Sequence, residues 1–130
     1  MLRKIKQIPF YPILFAAFPV LALLGTNIHE VNPGVALRSL IIAIAGALVI
    51  LLIARLVLGN WARAALAATL LLLLFFSYGH LYSWLKDLGG IGLQLARHRY
   101  LLPAFVLAGG AGILLIRKTN IALNATPALN

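Results

Sequence analysis

Long apolar runs alternate along the chain with short polar breaks. The runs lie at about 9–24, 35–58, 62–81 and 100–116 and are dominated by Leu, Ile, Val, Ala, Phe and Gly. A helix that crosses a bilayer needs about 20 mostly apolar residues, with a range of about 17 to 25, and each run lies in or close to that range. Periodicity does not sharpen the boundaries, because helices apolar nearly all round carry no one-sided stripe. The pattern predicts an all-α membrane protein built as a bundle of four transmembrane helices.

The breaks carry the connectivity. Between the second and third runs stands only Gly59-Asn60-Trp61, a turn signal too short for anything but an antiparallel hairpin. The first loop, 25–34, holds Asn27, His29, Glu30, Asn32 and Pro33. The third, 82–99, holds Lys86, Asp87, Gly89, Gly90 and the Arg97-His98-Arg99 cluster. Its middle predicts a short interfacial helix with Leu88, Ile91, Leu93 and Leu95 at headgroup depth. Pro12 and Pro19 predict a kink in the first run, with the freed carbonyl satisfied by a neighbouring helix. Residues 119–130 are mildly apolar and read either as a C-terminal tail or as the start of an incomplete fifth span.

Composition supports the bilayer: of 130 residues, 63% are hydrophobic and 10% charged, more apolar surface than so short a soluble domain can bury. The net charge of +9 raises the question of nucleic acid. The basic residues, however, cluster at the ends of the apolar runs, where they set topology and meet anionic headgroups; the partner is the lipid bilayer and no nucleic acid is expected. With four spans, one side carries Arg3, Lys4, Lys6, Arg55, Arg63, Arg117 and Lys118, seven cations, and the other Arg38, Lys86, Arg97 and Arg99, four. The positive-inside rule puts the richer side in the cytoplasm, so both termini are expected there, in a multi-pass protein of the cell (inner) membrane. The first run lacks a small-x-small cleavage site and reads as a retained signal anchor.

Candidate chemistry is sparse. There is no cysteine, so disulfides and thiolate metal sites are excluded. No phosphate loop, nucleophile elbow or dinucleotide glycine pattern occurs; catalytic residues and cofactors are expected to be none. No acid falls within a run, which argues against a proton-coupled transporter, and the first-span glutamate of small four-helix multidrug exporters is missing. His29, Glu30 and His80 are the weak candidates for a metal set, two imidazoles and a carboxylate lacking the helical spacing that zinc sites favour. The alternative for these residues and for Tyr78, Tyr82 and Trp84 is an interfacial belt, with His80 bonded to the first loop. Small residues let helices approach in lipid; Ala43, Gly46, Ala47, Ala104, Ala108 and Gly112 are the expected packing positions.

The series Phe10-Tyr11-Pro12-Ile13-Leu14-Phe15, Asn27-Ile28-His29-Glu30-Val31, Phe75-Phe76-Ser77-Tyr78-Gly79-His80 and Arg97-His98-Arg99-Tyr100-Leu101-Leu102-Pro103 resembles the N-terminal membrane region of bacterial sulfatase-like proteins. These belong to the alkaline phosphatase superfamily, with lipoteichoic-acid-synthase-like members. The resemblance implies a membrane anchor for an extracytoplasmic catalytic domain whose metal and nucleophile map to no residue here. The expected function is therefore a multi-pass anchor, not an enzyme alone but part of a split or truncated hydrolase or transferase, with a separately encoded extracytoplasmic domain as partner. The alternatives are an accessory subunit that packs on a larger membrane protein through the 109–112 face and, less favoured, a small transporter.

Overall fold

A computed structural model describes residues 9–129. Among them are six helices and no strands: α1 (Tyr11–Thr26), α2 (Pro33–Leu58), α3 (Trp61–Asp87), α4 (Ile91–Leu95), α5 (His98–Lys118) and α6 (Ile121–Leu129). Three of them, α2, α3 and α5, are long and apolar enough to cross a membrane. The fourth apolar helix, α1, has 16 residues; at 1.5 Å per residue it is about 24 Å long, shorter than the hydrocarbon core of about 30 Å. The bilayer can thin at such a helix, or its flanks can carry the difference.

Helix ends lie where backbone chemistry stops the helix. Pro33 occupies the first turn of α2, where its missing N–H costs nothing, and the Asn32 side chain accepts from Gly34 N at 2.8 Å. Gly59 closes α2 at φ 68°, and Asn60 opens α3 by accepting from Ala62 N and Arg63 N. That left-handed turn is what Gly tolerates and a Cβ opposes. The third helix runs six residues beyond the apolar stretch that predicted it, to Asp87, because Tyr82, Ser83, Trp84 and Lys86 are polar without being helix breakers. It ends only before Gly89 and Gly90, both at positive φ. Pro12 sits in the first turn of α1 and only Pro19 is interior, yet the helix continues through it.

α3 is the hub, with α1, α2, α4, α5 and α6 all packed on it. Its first half, Ala64, Ala65, Ala67 and Ala68, is at most 1% exposed, since alanine lets several backbones approach one helix from different sides. The larger of two core clusters joins these alanines to Tyr11, Leu51, Ala54, Ile116 and Ala122; the smaller joins Ala16, Ala47 and Leu72. The outer faces are apolar and open, with Ile42, Leu56 and Phe75 all more than 70% exposed. Such surface is tolerable in lipid and not in water.

After α5, Thr119 is extended, and its hydroxyl and N–H both donate to Leu115 O. The chain then turns into α6, which lies against α3. Tyr11, Pro9 and Pro12 are the largest fully buried side chains, so the start of α1 lies inside the protein. The Tyr11 hydroxyl meets Thr126 Oγ1 at 3.5 Å. Thr126 donates to Ala122 O at 2.8 Å, which commits its proton, so in this pair the Tyr11 O–H donates.

Candidate functional site

The ends of α1 and α3 and the starts of α2 and α5 share one end of the bundle. Pro19, Leu23, Val35, Ser39 and Phe76 line a common cleft there. The polar residues singled out from the sequence gather at this end, but not as the metal set considered above. His29, Glu30 and His80 are all exposed, and among the described residues no three His, Cys, Asp or Glu side chains are grouped to hold a metal ion.

His98 instead meets the tyrosines. Tyr78 Oη lies 2.6 Å from His98 Nδ1, a direct hydrogen bond whose donor depends on the tautomer. The Tyr82 ring stacks on the imidazole at 4.8 Å with 6° between planes, and Phe105 meets Tyr78 edge-on at 5.2 Å. Lys86 Nζ stands 5.4 Å above the Tyr82 ring. Tyr78, Tyr82 and Lys86 follow one another at i, i+4 and i+8, one stripe of α3 facing the start of α5. Arg97 caps that start without a side-chain hydrogen bond, so the Tyr78–His98 bond fixes the first turn of α5 in place of a cap. The tyrosine–lysine spacing and the Arg97-His98-Arg99 cluster just before an antiparallel span were the available signals for this cluster. Pairing them required the register of α3 against α5.

The packing positions divide by face. Ala47 is buried and Ala43 half-buried, whereas Gly46 has open space around it. Of the small residues on α5, Gly109, near Leu71 and Leu74, and Gly112, against Leu70, are turned to α3; Ala104 and Ala108 are exposed.

At the opposite end Arg55 lies 5.4 Å from the Trp61 ring across the hairpin, and Arg117 and Lys118 form the last turn of α5. Arg3, Lys4 and Lys6 lie outside the described residues. Buried polar atoms without a hydrogen-bond partner among the described residues are Arg63 Nε and Thr69 Oγ1, both on α3.

The arrangement can hold helices together and sit at a membrane interface. Tyrosines, a histidine and flanking cations at the end of apolar helices are the groups that favour headgroup depth. The fold and this belt define a multi-pass helical membrane protein. No family model, curated protein or solved structure matches the chain.

Proposed function

We propose that this chain is a four-span anchor domain of the cell (inner) membrane, with the starts of α1 and α3 and the ends of α2 and α5 on the cytoplasmic side, and without catalysis of its own. The observation that carries the reading is the distribution of Lys and Arg along the sequence: the described residues carry four at each end of the bundle, and Arg3, Lys4 and Lys6, which precede α1 in the sequence and lie outside the described residues, tip the count. Arg55, Arg63, Arg117 and Lys118, together with Arg3, Lys4 and Lys6, stand against Arg38, Lys86, Arg97 and Arg99, and Lys and Arg are retained preferentially in the cytoplasm. In this reading α1 crosses despite its length, with Pro9 and Phe10 extending its apolar stretch. The resemblance to the membrane region of sulfatase-like proteins, which rests on the sequence series alone, supplies the anchored partner: an extracytoplasmic hydrolase or transferase domain.

Reporter fusions after Gly59 and after Lys118 test the topology. Cytoplasmic signals from both, with an extracytoplasmic signal from a fusion after Gly90, are expected; an extracytoplasmic signal after Lys118 overturns it. Turnover of phosphate or sulfate esters by the purified chain would overturn the absence of catalysis.

A second reading, an accessory subunit of a larger membrane complex, is favoured by one observation. Ala104, Ala108 and Ala111 are exposed together on α5, and their spacing leaves a small-residue face free for another helix. Site-specific crosslinking from Ala108 that recovers a different membrane protein would support it; crosslinks to lipid alone would count against it.

A further inference from the structure

Beside α5 an apolar groove of about 510 Å³ runs along α3, lined by Leu74, Phe75 and Tyr78 on one side and Leu102, Val106 and Gly110 on the other. That volume is within the range of about 300–1,000 Å³ of ligand pockets. Both walls end in a cation at the same end. On α3 the groove-lining spacing continues from Leu74 and Tyr78 through Tyr82 to Lys86, four residues at a time. On α5, Arg99 stands three residues before Leu102 and seven before Val106, on the same helical face. The Tyr78–His98 bond holds these two stripes in register.

Among the described residues neither cation forms an ion pair, and each rests on an aromatic ring: Lys86 over the Tyr82 ring and Arg99 over the Tyr100 ring at 4.7 Å. The chain's two acids, Glu30 and Asp87, are both exposed. Charged groups left unpaired above an apolar groove between membrane helices complement an amphiphile with an anionic head and a hydrocarbon tail.

We infer that the α3–α5 groove is a binding site for one anionic phospholipid, an acyl chain lying between Phe75 and Val106 and the phosphate meeting Lys86 and Arg99. Arg97, at the cap of α5, and His98 add positive or polar character at the same level, and Asp87 is the opposing charge. Tyr78 and Tyr82 supply the amphipathic wall between head and tail. The site requires only that the helices lie in a bilayer; it does not depend on the anchor reading or on orientation.

The test is native mass spectrometry of the full chain released from nanodiscs of phosphatidylglycerol or of phosphatidylcholine. One phosphatidylglycerol should remain on the wild-type protein and phosphatidylcholine should not. A cation near the headgroups strengthens binding of anionic lipid by about five-fold, so Lys86→Gln with Arg99→Gln should lower retention by about 25-fold. Gly110→Leu should abolish it by filling the groove, since a Cβ there meets nothing within 4 Å and the helices need not move. Arg117→Gln with Lys118→Gln removes equal charge at the other end and should leave retention unchanged. Circular dichroism of each variant checks that its helices remain. Equal retention of both lipids, retention surviving Gly110→Leu or the Lys86/Arg99 pair, equal loss in the Arg117/Lys118 pair, or a lipid-free dimer occupying the groove with its own helix would each overturn the proposal.

Discussion

Tyr11→Ala should release α6 from the bundle while leaving the long helices in place. Tyr11 is 1% exposed and shares its cluster with Ala64, Ala65, Ala68 and Ala122. Truncating a buried aromatic to alanine costs about 3–5 kcal/mol through lost contacts and the cavity left behind. α6 supplies one side of the surroundings and α3 another, so roughly half of that cost, about 2 kcal/mol, falls on α6 docking. A loss of that size raises the undocked population about 30-fold. The chain contains no cysteine, so Ala122→Cys introduces a single thiol at a position that is 0% exposed, where a maleimide reacts only when α6 leaves. Labelling should therefore be about 30-fold faster in the Tyr11→Ala background. Tyr11→Phe separates packing from hydrogen bonding: it removes only the long 3.5 Å bond to Thr126. Because Thr126 keeps its 2.8 Å bond to Ala122 O, the cost should stay below about 1 kcal/mol and the rate within about five-fold of the parent. An unchanged rate in Tyr11→Ala would refute the docking role of the ring. A Tyr11→Phe effect as large as that of alanine would mean that the hydroxyl, not the packed ring, holds α6.

Three further outcomes follow from local geometry. Asn60→Ala removes the acceptor for Ala62 N and Arg63 N and should lower thermal stability in detergent by about 0.5–2 kcal/mol; Asn60→Asp or Asn60→Ser should recover most of it. Gly92→Ala places a Cβ against the backbone carbonyl of Leu85, which cannot move as a side-chain end would. The expected cost is about 1–3 kcal/mol, seen as faster hydrogen exchange over 89–96 with α2 unaffected. Tyr78→Phe keeps the ring contacts but breaks the 2.6 Å bond to His98; exchange of amides in the first turns of α5 should rise by up to about ten-fold, for a bond worth about 0.5–1.5 kcal/mol. Unchanged exchange there would assign the anchoring of α5 to stacking alone.

The all-α fold, three helices long and apolar enough to cross a membrane and the α2–α3 hairpin were legible in the chain, because each depends on a local quantity: the length of an apolar run, or a Gly59-Asn60 turn that only one short connection satisfies; the fourth run forms the shorter helix α1. A short helix in the third loop was legible for the same reason, and Leu88, Ile91, Leu93 and Leu95 are all exposed around α4. The reach of α3 to Asp87 was not, since hydropathy measures the thickness of the apolar layer whereas the backbone stays helical until Gly89 and Gly90 end it. On α5, Ala104, Ala108 and Gly112 share a four-residue spacing, yet only Gly112 turns to α3, with Gly109 beside it. Every face of an apolar helix looks alike in sequence, and lipid solvates an unburied alanine as readily as a neighbour does. Rotation of each helix about its axis was therefore left to packing. The same holds for His98: its loop and charge were visible, but its bond to Tyr78 exists because the start of α5 lies level with the last turns of α3. That register, like the burial of Tyr11 beneath α6, joins residues 20 and 115 positions apart, and only the tertiary structure could decide it.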